Sequence, residues 1–200
     1  MIRVLLFDFG RVISAPKPRS LFHRYEKELG LEPDTINTIM FESPLWQQAL
    51  TGMLAMDEYW AAIGPQLNLF SQSAIQRFQK KYFEDERVNL AVLDIIEQVS
   101  KTFKLAIVSN HPPGLMQWLE AWNIDHLFKM VICSGDEGIA KPDPAIFILS
   151  LKRLGVSAEE AFFIDDTLEH ILAARALGIH GHHFVSAEQL ILDLRTMGIS

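Results

Sequence analysis

The sequence predicts an α/β fold, a doubly wound parallel sheet with a small all-helical second unit, on three observations. Short apolar runs at residues 4–7, 105–108, 130–132 and 162–164, with a weaker one at 183–185, lack the alternation of a half-exposed strand. Each suits a strand buried on both faces. Helical patterns separate most of them, and strands alternating with helices build a parallel sheet. Between Ala15 and Arg87 no strand-like run occurs, and about 70 residues is too long for a plain loop.

The elements follow in order. The first strand runs into Asp8 and a glycine-containing turn, LLFDFGRVI at residues 5–13. Past Pro16 and Pro18, amphipathic stretches at 21–29, 36–41, 56–63 and 75–83 predict helices. The second strand, LAIVSNH at residues 105–111, ends at Ser109 and Asn110, and Pro112 with Pro113 is expected to open a helix. Asp143 caps a helix starting at Pro144 and stopped by Gly155; Thr167 and Gly178 bracket the next. Ser186 with Gln189 three residues on is a capping-box signal for a last helix that Gly198 ends. The expected division is a Rossmann-like core at 1–14 and 88–200, interrupted by a helical unit at 15–87.

Composition narrows the function. With 49% hydrophobic and 22% charged residues in 200, the chain has apolar material for a packed core. Eighteen basic against twenty-five acidic residues give a net charge of −7, which offers no field for nucleic acid or anionic lipid. No apolar run approaches the roughly 18 residues of a membrane helix. One cysteine, Cys133, forms neither an intrachain disulfide nor a thiolate-rich zinc site, so a reducing cytoplasm is expected.

Chemistry concentrates at the strand ends. In open α/β sheets, ligands bind beyond the carboxyl ends of the strands, where Asp8 is placed; alone, it reads equally as a turn aspartate bonding its own backbone. Ser109 and Asn110 offer a hydroxyl and an amide for an anion, or simple helix caps. Lys141 lies in GIAKPDPAIF, residues 138–147, where Pro142 and Pro144 stiffen the turn. An ammonium fixed there offsets the charge of a phosphate or a carboxylate. The strand AFFID ends in Asp165 and Asp166, adjacent carboxylates that are costly without a cation between or near them. Mg²⁺ suits such a site, since it takes a few carboxylates, several waters and a substrate phosphate.

A carboxylate, a hydroxyl with an amide, a lysine and an acidic pair, in that order, resemble the haloacid dehalogenase superfamily. The run KPDPAIF, followed some twenty residues later by FFIDDT, carries the resemblance most specifically, and it covers most of the chain. The resemblance implies a phosphatase with a helical cap inserted after the first motif, acting on a small phosphorylated metabolite. It makes Asp8 the nucleophile that becomes an aspartyl phosphate. Ser109 and Asn110 would hold the phosphoryl group, and Lys141 would neutralise it. Mg²⁺ would be bound by Asp8, the Gly10 carbonyl and Asp166, with Asp165 beside it through water or Lys141.

Two positions depart from that pattern. Where the phosphatases carry a second aspartate as general acid and base, this chain has Gly10, which leaves the alkoxide without a proton donor. The next position, often glycine, is Arg11, whose guanidinium either reaches an anionic substrate or lies in solvent. Gly10 keeps two other readings open: a metal-independent 2-haloacid dehalogenase, and a non-catalytic protein that binds a phospho-ligand or another protein. An acidic pair favours the metal and opposes a carboxylate substrate.

Remaining features are read as structural. His180, His182 and His183 have no carboxylate beside them in sequence and are taken as solvated or edge-strand residues. Trp118 and Trp122, spaced i, i+4, are expected to pack together on a core face. His111 is a candidate replacement proton donor, though a solvent-facing position at a helix entry is the expectation. In the helical unit, Trp46, Met53, Met56, Tyr59 and Trp60 are best able to line a pocket. Hinges for its movement are expected at 15–18 and 83–87.

Overall fold

The computed structural model describes residues 1–199; Ser200 lies outside the described residues. Five parallel strands form one sheet in the order β3-β2-β1-β4-β5. They are β1 (Val4–Phe7), β2 (Lys104–Ser109), β3 (Met130–Cys133), β4 (Ala161–Asp165) and β5 (His180–His183). β1 is central, and every one of its residues is fully buried. Its side chains alternate between two cores because strand side chains point to opposite faces. Leu5 and Phe7 join Leu105, Ile107, Phe162 and Ile164 on one face; Val4 and Leu6 join Ala106, Val108, Ile132 and Phe163 on the other.

Helices cover both faces, which explains the uninterrupted apolar strands. The first core receives α6 (Leu90–Val99), α7 (Leu115–Ala121) and α11 (Ala187–Thr196); the second receives α9 (Pro144–Leu154) and α10 (Leu168–Ala176). The caps of α9 fall where expected: the Asp143 carboxylate accepts from Ala145 N at 2.8 Å, and Gly155 is left-handed at φ 66°. Ser186 caps α11 by accepting from Gln189 N, but the Gln189 side chain turns to Asp193 instead of closing a capping box. The helix expected at Pro112 begins at Leu115 instead. Pro112 and Pro113 cross the sheet edge as loop, and Gly114 at φ 102° turns the chain into α7.

Residues 19–84 carry α1 (Arg19–Leu29), α2 (Ile36–Phe41), α3 (Pro44–Leu50), α4 (Met56–Ile63) and α5 (Gln72–Glu84). Their apolar stripes meet in a third core around Tyr25, Met40, Tyr59, Trp60 and Phe78, separate from the two sheet cores. Where the chain enters and leaves this helical unit, the two connections pair: Ser14 bridges Val88, and Ala15 N donates to the Arg87 carbonyl at 2.8 Å. A second contact lies at α8 (Ser134–Glu137), whose Ser134 hydroxyl donates to the Leu50 carbonyl. There Gly52, at φ 69°, approaches so closely that a Cβ would stand 2.3 Å from the Gly135 oxygen. No helix among the described residues is long and apolar enough to cross a membrane.

Candidate active site

β1 and β4 are neighbours in register, so Asp8 and the Asp165–Asp166 pair emerge side by side at the carboxyl edge of the sheet. Carboxylate oxygens of Asp8, Asp165 and Asp166 all lie within 4.8 Å of one another. The Lys141 ammonium, with a fully buried side chain, donates to Asp8 Oδ1 at 2.8 Å and to Asp165 Oδ2 at 2.6 Å. Asn110 fixes that lysine. Its Oδ1 accepts from Lys141 N and its Nδ2 donates to the Lys141 carbonyl, both at 2.8 Å. The Asn110 amide is thereby engaged with the lysine backbone through one of its two N–H donors and its oxygen.

Burial and charge act together here. Burial pushes the Asp8 carboxyl above its ordinary range, the Asp165 charge adds to that rise, and Lys141 pulls against it. For Lys141, burial alone favours the neutral amine, but the two facing carboxylates outweigh it and its pKa is raised. Asp165 is buried as well, yet hydrogen bonding to His170 and the Lys141 charge hold it down at about 2. Its Oδ1 also accepts from Thr167 N at 2.7 Å, while His170 Nδ1 lies 3.0 Å from Oδ2.

Ser109 ends β2 beside this cluster, its hydroxyl close to the Asp8 carboxyl without completing a hydrogen bond. A buried hydroxyl with no partner is costly and available to an incoming acceptor. Between β1 and α1, the turn Phe9–Ile13 closes with Ser14 N donating to the Phe9 carbonyl. Gly10 in it has an ordinary φ of −64°, whereas Arg11 takes the left-handed conformation at φ 59°. The Arg11 guanidinium lies 3.2 Å from Asp166 Oδ2, with its side chain 72% exposed. It is therefore solvent-exposed and at the same time paired with Asp166.

One histidine expectation changes, one gains a partner and a third histidine enters the site; His180, His182 and His183 do lie on the edge strand β5. His111 does not face solvent: it is largely buried, Nδ1 bonds the Pro112 carbonyl at 2.7 Å, the ring meets Phe9 edge-on, and burial lowers its pKa. His182 does have a carboxylate partner, Asp193 of α11 at 2.7 Å, eleven residues away in sequence. His170 was not singled out by sequence. It lies five residues past Asp165, and the turn into α10 folds its ring back onto that carboxylate. Trp118 and Trp122 do pack together, their centroids 5.9 Å apart, half-buried against the first core.

Above the cluster, a cleft of about 1030 Å³ separates the helical unit from the sheet. Gly10, Arg11 and Asn110 stand at its floor, and Trp46, Met56, Tyr59 and Trp60 line it as expected from sequence. Met53 does not line it and is 74% exposed.

Comparison with known proteins agrees with this architecture. A sesquiterpene phosphatase of Aspergillus oryzae is 26% identical over 199 residues, covering 98% of this chain and 96% of the relative. A D-ribitol-5-phosphate phosphatase of Bacteroides thetaiotaomicron is 27% identical over 190 residues, 89% of each protein. Two further relatives are longer proteins, of which the chain spans 19% and 35%. Among solved structures, a haloacid dehalogenase family enzyme of Bacteroides thetaiotaomicron, in complex with magnesium and inorganic phosphate, superposes with a TM-score of 0.75 at 19% identity, over 91% of this chain and 93% of that one. The model of haloacid dehalogenase-like hydrolases matches residues 16–178, which places most of the sequence, including Lys141 and the Asp165–Asp166 pair, inside it. The chain belongs to the haloacid dehalogenase-like hydrolases.

Proposed function

We propose that the chain is a Mg²⁺-dependent phosphomonoester hydrolase acting through an aspartyl phosphate on a small phosphorylated metabolite. The carrying observation is the buried Lys141 ammonium between Asp8 and Asp165, with Asp166 alongside. Three carboxylates face the buried Lys141 ammonium and the exposed Arg11 guanidinium, which leaves net negative charge for a divalent cation to offset. The donor set therefore fits Mg²⁺. Asp8, Asp166 and the Gly10 carbonyl would hold the ion, and Asp165, whose oxygens already serve Lys141, Thr167 and His170, would act through water. When bound, Mg²⁺ draws charge from the phosphoryl oxygens.

The protein's own residues would divide the work. An Asp8 oxygen bonds to phosphorus while the ester P–O bond breaks, and the alcohol departs with the electron pair and takes a proton from solvent. Water then attacks the same phosphorus, the bond to Asp8 breaks, and orthophosphate leaves with the carboxylate restored. Lys141 offsets the repulsion between two approaching anions, and Asn110 holds Lys141 in place. The unpartnered Ser109 hydroxyl would donate to a phosphoryl oxygen, and Arg11 would turn to another. The helical unit would serve as a cap whose paired connections, residues 14–15 and 87–88, limit how it swings.

The phosphatase relatives support this reading over a dehalogenase, as does the acidic excess, which repels a carboxylate substrate. The test is hydrolysis of an aryl phosphate with Mg²⁺, with chelator, and by Asp8→Asn. Turnover lost in both controls supports it. Full activity of the Asn variant sinks covalent catalysis, and turnover indifferent to chelator sinks the metal.

A further inference from the structure

The cleft above the carboxylates has two distinct ends. Its floor carries Gly10, Arg11 and Asn110; its walls are rich in aromatic rings, with Phe9 and Trp118 from the core side and Phe41, Trp46 and Phe83 from the helical side. These rings support one another: Phe41 and Trp46 are 5.2 Å apart, and Phe83 and Trp118 are 5.5 Å apart, edge-on in each case. At about 1030 Å³, the space is at the upper limit of ligand pockets, roughly 300–1,000 Å³. A two- or three-carbon metabolite leaves most of that wall wet.

The charges lining the cleft point the same way. Among its described residues the Lys and Arg side chains are Arg11, Lys17 and Arg19, and each already has an acidic partner. Lys17 pairs with Glu86 and lies over the Tyr82 ring, Arg19 forms two bonds to Asp34, and Arg11 faces Asp166. A substrate with a second acidic group away from its phosphate would have to take a cation from one of these pairs. One released by the phosphate itself, Arg11, stands at the floor and not on the walls.

We propose that the substrate is a monophosphate ester of a bulky apolar alcohol, alkyl, alkenyl or aryl, with no second acidic group. The phosphate sits at the carboxyl ends of β1 and β4, and the hydrocarbon fills the aromatic cleft. This rests on the hydrolase reading for the phosphate end and on the cleft alone for the rest. Burying each methylene against the wall strengthens binding about fourfold.

The test uses the whole chain with Mg²⁺ and two series. One is the set of straight-chain alkyl phosphates from ethyl to octyl, with phosphoglycolate as the acidic comparison, measured for kcat/KM. The other is the matching alkyl phosphonates, which are not hydrolysed, measured for binding by calorimetry. The expected result is affinity and kcat/KM rising several-fold per methylene, with phosphoglycolate at least tenfold below its apolar counterpart. Phe83→Arg, on a residue 40% exposed and so tolerant of charge, should flatten the phosphonate series and raise affinity for phosphoglycolate. Phosphonate affinity independent of chain length, or strongest for the diacid, overturns the proposal. Length-dependent phosphonate binding without hydrolysis of any ester supports the cleft assignment while overturning the hydrolase.

Discussion

Arg11 holds its guanidinium 3.2 Å from the Asp166 carboxylate while its own backbone lies at φ 59°. A left-handed backbone costs a residue with a Cβ about 1–2 kcal/mol, and an exposed ion pair returns under about 1 kcal/mol. The pair does not offset its own strain. Arg11→Gly and Arg11→Ala both remove the guanidinium, but only glycine relieves the backbone. In denaturant titrations the Gly variant should be the more stable of the two by about 1 kcal/mol. Both should bind Mg²⁺ more tightly than the parent, since a competing cation has left Asp166. Equal stabilities would mean that the left-handed turn is not strained.

Gly10 has room for the aspartate it lacks. Its φ of −64° is open to any residue, and an added Cβ would meet only Asp8 Oδ2, at 3.9 Å. Gly10→Asp should fold normally and place a carboxyl group near the leaving oxygen. The parent should show a steep fall in rate as the leaving alcohol becomes more basic; the variant should show a shallower one, with gains within the 10²- to 10⁴-fold typical of general acids. A graded series of aryl and alkyl esters measures this. If both proteins follow the same slope, another group already donates the proton. His111 is a poor choice for it, because burial lowers its pKa and so disfavours the imidazolium that would donate.

Lys141 links catalysis to stability. Lys141→Met removes the counter-charge from Asp8 and Asp165, both buried, and should cost about 3–5 kcal/mol. Asp8→Asn leaves Lys141 paired with Asp165 and should cost less. Urea unfolding in chelator compares them, and an Asn variant as unstable as the Met variant contradicts the pairing described for Lys141.

Cys133 gives a pH signature away from the carboxylates. Burial pushes its thiol up to about 11, and Sγ donates to the His111 carbonyl at 3.0 Å. Between about 9, where an unfolded thiol ionises, and 11, the unfolded chain has lost a proton that the folded chain retains. This group's contribution is thus complete below pH 9 and declines as pH rises toward 11. Relative to Cys133→Ala, the parent should lose stability over that window. Alkylation of the native protein at pH 8 should be slow and should accelerate on unfolding.

The sequence made the buried strands legible because helices on both faces leave no polar side to disguise them. β5 was harder. Its residues His180–His183 contain no apolar run, and the strand exists through backbone pairing with β4 and packing against α10, so the expected strand lay three residues too late. α3, seven residues behind Pro44, is too short to show a periodicity. At the carboxylate edge, Asp8, Lys141, Asp165 and Asp166 were brought together from motif order alone. What order could not supply was direction: that Asn110 turns to the Lys141 backbone, Arg11 to Asp166, and His170 back to Asp165.

Parallel pairing also imposes a timetable on synthesis. β1 leaves the ribosome before the other four strands yet hydrogen-bonds to β2, about a hundred residues later, and to β4, later still. At roughly 5–20 residues per second, a strand that ends up wholly buried waits on the order of ten seconds for both neighbours. Meanwhile the helices at 19–84 can assemble from local contacts alone. Asp8 therefore acquires Lys141 and Asp165 only once both of those later segments have been synthesised, and a nascent chain stalled before residue 141 holds Asp8 without the ammonium that balances it.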